Sequence, residues 1–481
     1  MTGFSTAIIG FAVMLLLIGL RAPIGFSMLL VGAAGYMHLS SANAFFAYMK
    51  TNSYHQFANY TLSVIPLFIL MGALAERAGI AASLFKAAER GLGRFRGGLA
   101  MSVIGACTAF GAICGSSVAT TATFGRAALP ELLKARYDGG LATGTIAVGG
   151  TLGILIPPSV ILVVYAITTE QNIAKLFQAA LIPGLMAAAF YCLTIAIVVR
   201  RNPALAPLSA EPAVAAPVKQ PLWPKMIAAL ILIGVAVQFM RGSMEGFLAA
   251  VGVALAIMMA VLDVSVMPAI TIAVVVVGGI YGGVFTPTEG AAVGAITMLA
   301  VGVASRKLGW NDILDALRQT AETSGMIFII LLGAEVFGAF LALSQLPTKA
   351  AEMIGTSGLS PYMILISMLA FYILLGAVMD ELAMILLTLP VFFPIIQALD
   401  FGMSPDDAAV WFGILVLIVV GIGLTAPPIG LNVFVISSLA RQIPIAETYR
   451  GVLPFLVADV IRLALVVLFP GLALWLVRLL S

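Results

Sequence analysis

The chain has 481 residues, of which 62% are hydrophobic and only 9% charged, against about 45–50% apolar and about 25% charged in a soluble globular domain. Too few polar side chains are present to face water all round, and a net charge of +3 with scattered basic residues gives no nucleic-acid footprint. Cys107, Cys114 and Cys192 lie in apolar stretches with neither a C-x-x-C pair nor a nearby histidine, so packing thiols are expected rather than metal ligands.

A helix needs roughly 20 residues to cross a hydrocarbon core of about 30 Å. The segment after Met1 follows no basic stretch and reads as a first span, not a cleavable signal peptide. Spans are expected near 4–20, 23–39, 56–75, 139–170 and 175–199, then 225–240, 244–262, 266–286, 288–304, 321–343, 407–439 and 451–479, about twelve in all. The apolar segments 98–128 and 361–397 are each broken at the centre by small or charged residues, which predicts hairpins that enter the membrane and leave on the same side. Residues 202–224 are rich in Pro and Ala and predict a linker. Two amphipathic stretches, 80–96 and 305–319, are expected to lie in the cytoplasmic interface.

With two re-entrant hairpins and the N-terminus outside, eighteen Lys and Arg fall on the inner side and five on the outer, with Arg462 left inside the last span. The positive-inside rule favours that topology, which leaves both termini periplasmic. The halves also repeat: Pro23 matches Pro287, Ser116 matches Asp380 and Pro130 matches Pro394, all at an offset of 264, while Pro157-Pro158 matches Pro427-Pro428 at 270. About seven spans precede the second copy, an odd number, so it is expected upside down. The scheme is a first inverted repeat over 1–200, a cytoplasmic linker over 201–224, two linking helices over 225–265 and a second repeat over 266–481.

At the first hairpin turn, Gly111 and Gly115 permit reversal, and Ser116, Ser117, Thr120 and Thr121 begin the return helix. A helix N-terminus at mid-membrane offers free N–H groups to a carboxylate, and hydroxyls can hold a cation; small residues that merely allow close packing are the alternative. Proline removes an N–H and breaks the ladder, so Pro157-Pro158 and Pro427-Pro428 release carbonyls near Gly153 and Ile154 and near Gly423, Leu424 and Thr425, which need another partner. Asp380 and Glu381 sit at the second turn among apolar residues, where a carboxylate costs at least about 2.5–3.5 kcal/mol and calls for a function. Glu289, Glu322 and Glu335 are weaker candidates. No H-E-x-x-H, G-x-S-x-G or P-loop motif occurs, so neither an enzyme nor direct use of ATP is expected.

GSSVATTATFG followed by ARYDGGLATGTIAVGGTLGILIPPS, then GGIYGGVFTPTEGAAVGA, then MDELAMILLTLPVFFP with TAPPIGLNVFV, span nearly the whole chain. In combination they resemble the large membrane subunit of tripartite ATP-independent periplasmic transporters of the bacterial inner membrane. The resemblance implies an all-α, elevator-type carrier like those of the ion transporter superfamily, with two re-entrant hairpins and two Pro-broken helices. It also implies a small four-helix membrane subunit, expected as a separate chain, and a periplasmic binding protein that delivers a carboxylate. At least two Na+ ions are expected, one between Ser116, Ser117 and the Gly150 to Gly153 break, another between Gly376, Asp380 and the Gly423 to Thr425 break. The carboxylate would sit between the hairpin turns, with Ser116, Ser117, Thr120, Pro157, Ser159, Asp380, Pro427 and Asn432 as candidate contacts. Ala426 departs from the family, which usually has Thr before the double proline. A self-sufficient divalent-anion carrier shares these devices, and a channel or membrane scaffold is a further alternative.

Overall fold

A computed structural model describes residues 3–207, 267–355 and 358–480, all helices and short turns with no strand among them. The spans expected at 225–240 and 244–262, and residues 208–224 of the linker, lie outside the described residues. The first half runs α1 (Gly3–Gly19), α2 (Ile24–Leu39), α3 (Ala42–Phe57), α4 (Val64–Arg77) and α5 (Ile80–Leu92). The first hairpin follows as α6 (Gly98–Cys114) and α7 (Ser117–Ala127), then α8 (Leu129–Lys134), the interrupted pair α9 (Gly139–Leu155) and α10 (Val160–Thr168), and α11 (Ile173–Arg201). The second half runs α12 (Met267–Tyr281), α13 (Pro287–Ala304), α14 (Trp310–Leu343) and α15 (Leu346–Gly355). Its hairpin is α16 (Pro361–Gly376) and α17 (Glu381–Ala398), its interrupted pair α18 (Pro405–Gly423) and α19 (Leu431–Leu439), and it closes with α20 (Ile445–Leu468) and α21 (Gly471–Leu480). Seven helices among the described residues are long and apolar enough to cross a membrane, and α9 with α10, bent by 44°, makes an eighth.

Local sequence starts these helices where the fold needs them. Ser116 caps α7 and Asp380 caps α17, while Asp138 caps α9 and Ser404 caps α18, each accepting from an orphan backbone N–H of the first turn. Matching positions in the halves therefore carry matching caps. Packing repeats the pattern: α2 lies along α14 and α13 along α4, and α9 pairs with α20 as α18 does with α11. This reciprocal exchange is what a twofold relation between the halves produces.

Lipid gives apolar helices no reason to associate beyond close packing, so small residues line the contacts. Gly25 and Gly32 face the α14 backbone, where an added methyl group would meet Ile330 N at 2.9 Å and Phe337 N at 2.7 Å. A larger side chain at either position would push α2 off its seat.

The structure corrects the sequence reading at several places. The amphipathic stretch 305–319 does not form a separate interfacial helix: α14 runs unbroken for 34 residues from Trp310 to Leu343, because no Pro or Gly pair intervenes to stop it. Helices α3 and α15 were not expected at all, since their mixed composition fails a hydropathy test for spanning. The last span divides at Pro470 into α20 and α21.

Candidate functional site

Each hairpin tip meets the interruption of the pair α9–α10 or α18–α19 in its own half, and glycine makes both meetings possible. A methyl group on Gly111 would lie 2.6 Å from Leu152 O, and one on Gly115, whose φ is +64°, would lie 2.9 Å from Pro158 O. One on Gly153 would lie 2.5 Å from Ser116 O and closer still to the Thr120 hydroxyl. In the second half a methyl group on Gly376 would lie 3.2 Å from Gly423 Cα. The expected partners Gly153 with Ser116, and Gly376 with Gly423, are thus in contact.

The first break is lined by neutral oxygens. Ser116 accepts from Ala119 N–H (3.4 Å), and its carbonyl accepts from Thr120 Oγ1 (2.7 Å). Pro157 and Pro158 are joined by a cis peptide bond and leave Gly153 O and Ile154 O without their helical donors. Ser159, fully buried, caps α10 by accepting from Leu162 N–H at 3.4 Å. Asn432, expected among the substrate contacts, is fully buried here, where its Nδ2 donates to Ser117 Oγ (2.7 Å) and Ala147 O (3.1 Å). It enters from the second half because α19 packs on α7 and α9. The Thr121 hydroxyl lies against Gly150, where any side chain would collide with it, and Asn432 Nδ2 would lie 3.1 Å from the same methyl group. Thr121 Oγ1 and Asn432 Oδ1 are buried with no hydrogen-bond partner.

The second break repeats the proline pair in a longer loop and with different chemistry. Asp380 caps α17, accepting from Ala383 N–H at 2.8 Å, and the adjacent Glu381 keeps a buried, unpartnered Oε2. Ala377 O accepts from Ile429 N–H (3.2 Å) and Gly430 N–H (3.4 Å), which ties the hairpin to the loop after Pro427-Pro428, also joined in cis. Pro427 is exposed, whereas Pro157 is buried. Of the carbonyls expected to be free, Leu424 O is taken by Asn432 N–H at 3.0 Å, and the Thr425 hydroxyl turns back to Gly421 O (3.2 Å) and Ile422 O (3.1 Å). Gly423 O keeps no helical donor, because Pro427 has no N–H.

The weaker candidates have structural roles. Glu289 forms a capping box with Thr286, and Glu335 accepts from Tyr48 Oη (3.2 Å) and Asn52 Nδ2 (3.4 Å), fastening α3 to α14. Glu322 is exposed. Sequence reasoning passed over Asp459, although an Asp three residues before Arg462 inside an apolar run puts both on one helix face.

Carboxylate, carbonyl, amide and hydroxyl oxygens, gathered at two helix interruptions, suit a hard cation. The orphaned Thr121 Oγ1 beside Gly150 and the orphaned Asn432 Oδ1 fit the same reading, since a buried unpaired polar atom needs a partner.

The model of the DctM component of tripartite ATP-independent periplasmic transporters matches residues 11–266 and 260–472. The C4-dicarboxylate large permease protein DctM of Pseudomonas aeruginosa is 32% identical over 86% of both chains. The ectoine large permease protein TeaC of Halomonas elongata is 30% identical over 86% of both, and the sialic acid large permease protein SiaM of Vibrio cholerae 29% identical over 93% of both. In fold, the chain resembles the YdaH transporter of Alcanivorax borkumensis, with a TM-score of 0.59 at 17% identity over 90% of each chain. The chain therefore belongs to the DctM family of large permease subunits of tripartite ATP-independent periplasmic transporters, and is a multi-pass inner-membrane transport protein rather than an enzyme.

Proposed function

We propose that this chain carries an organic acid inward in exchange for the energy of sodium entry, with the cations held at the two helix interruptions and the carboxylate between the hairpin tips. The observation that carries the reading is Thr121 Oγ1, buried without a partner against Gly150, together with the equally unpartnered Oδ1 of the buried Asn432 amide, next to a break whose own carbonyls lack donors. Ser116, Ser117 and the Gly150 to Gly153 segment would hold one ion, and Gly376, Asp380 and the Gly423 to Thr425 segment another. Each cation entering along the field gains about 2.3 kcal/mol per 100 mV, so uptake is electrogenic when sodium charges outnumber carboxylates.

Relatives named for C4-dicarboxylates, sialic acid and ectoine support an organic acid as cargo. The small membrane subunit and a periplasmic binding protein complete the system, the latter presenting the acid. In this reading the repeats 1–200 and 266–481 each contribute a hairpin, an interrupted pair and a following helix to an elevator-like moving body, while α1 to α4 and α12 to α14 stay fixed. The contact across that boundary includes an ion pair between Glu76 of α4 and Arg126 of α7, with Arg126 half exposed, a kind of contact that is readily broken and remade.

Both membrane subunits and the binding protein, reconstituted in liposomes, test the reading. Uptake is expected to require an inward sodium gradient and to rise with an inside-negative potential. Uptake that persists without sodium while the potential is maintained would refute it.

A further inference from the structure

A buried charged pair near the first break has no task in the reading above. Asp459 and Arg462 of α20 are each 1% exposed and joined from Nη2 to Oδ1 at 2.8 Å. Tyr191 of α11, also fully buried, donates to the two Asp459 oxygens at 2.9 and 2.8 Å and lies 3.2 Å from Thr151 Oγ1. Thr151 follows Gly150, and its Cβ would lie 3.6 Å from a methyl group on Gly421, so it marks the crossing of α9 and α18. Tyr191 and Arg462 are 271 residues apart, the offset that relates α10 to α19.

The interface between α9 and α20 explains why such a chain of groups is useful. Gly140 packs so that an added methyl group would meet Glu447 O at 2.7 Å, one on Gly144 would meet Gly451 C at 2.6 Å, and Gly451 itself rests on Gly140 O. Smooth backbone contact of this kind gives attraction but few interlocking side chains to fix rotation or register. Polar fastenings supply what is missing: Thr143 Oγ1 meets Thr448 Oγ1 at 2.9 Å, and about two turns further along α9 comes the chain from Thr151 through Tyr191 to Asp459. The second fastening acts at the C-terminal end of α9, the stretch that carries Gly150 and Gly153.

As a device for stability alone the pair is poorly made. Arg462 Nε and Nη1 have no hydrogen-bond partner, and replacing a buried ion pair by apolar side chains of similar volume is often neutral or stabilising. We propose that Asp459 and Arg462, acting through Tyr191 on Thr151, are positioning residues that hold α9 at the rotation and register the first cation site requires. The inference rests on the sodium reading above.

The test titrates the purified full chain in nanodiscs with sodium chloride against choline chloride at constant ionic strength, following the melting temperature. Removing one partner of the pair would bury an unmatched charge and risk misfolding. Two gentler variants are therefore used, Tyr191→Phe and the double substitution Asp459→Leu with Arg462→Met. The double variant is expected to melt in sodium-free medium no lower than the wild type, yet to need at least about tenfold more sodium for half of its stabilisation, about 1.4 kcal/mol. Tyr191→Phe, which removes the hydroxyl that joins Asp459 to Thr151, is expected to shift the midpoint in the same direction by about threefold or more. Wild-type sodium midpoints in both variants would overturn the positioning role while leaving the sodium reading intact, as would a double variant that merely melts lower. A wild type that responds to choline as it does to sodium would overturn the sodium reading and this inference with it.

Discussion

The two hairpins place equivalent residues before two equivalent helix interruptions, and the difference between them lies in charge. Where the first offers Ser116 and Ser117, the second offers Asp380 and Glu381, at an offset of 264. Around the first break the proline loop is buried and the lining is neutral, completed by Asn432 from the other half; around the second, Pro427 is exposed and the loop closes on Ala377 O. A repeated backbone device has thus been given one neutral and one acidic chemistry. Asn432 belongs to both, since its N–H closes Leu424 O in the second half while its amide holds Ser117 in the first.

That contrast can be broken from either side. The largest effect is expected for Gly150→Val, because any side chain there collides with the Thr121 hydroxyl: sodium-driven uptake should fall at least about tenfold. Asp380→Asn removes one of the two carboxylates that distinguish the second hairpin and should raise the sodium concentration for half-maximal uptake about tenfold, a difference of about 1.4 kcal/mol. Ser117→Ala deletes one neutral hydrogen-bonding group of the first site and should raise it by roughly threefold, within the range of about 0.5–1.5 kcal/mol for such a bond. If Ser117→Ala proves as damaging as Asp380→Asn, the two sites do not differ as their residues suggest. The smallest effect belongs to Glu76→Gln, which removes a partly exposed ion pair worth about 0.2–1 kcal/mol and should alter the rate of uptake while leaving its sodium midpoint unchanged. Initial rates in liposomes over a sodium series distinguish all four.

Much of this was legible in the chain. Proline pairs inside apolar runs, small or acidic residues at hairpin centres and a steady offset between halves have backbone consequences that hold in any surroundings, so both hairpins and both interruptions were found. Helix α3 escaped because AFFAYMKTNSYHQF is neither apolar enough to span nor clearly patterned, and it is fastened by Glu335, nearly three hundred residues away. The site was legible by backbone and less so by side chain. Gly150, Gly153 and Ser116 do converge, whereas the burial of Asn432 against Ser117 depends on how α19 crosses α7, which no local pattern records. Asp459 carried a signal, a second charge one helical turn from Arg462, and its meaning required Tyr191 from another helix.

Equilibrium binding of radioactive sodium to the purified subunit bears on the central claim most directly, because it needs neither the cargo nor the delivery protein. Saturable uptake of at least two ions, resisted by potassium and reduced to about one by Gly150→Val, is the outcome that two separate helix interruptions predict. Binding that never saturates, or that potassium displaces equally well, would contradict it.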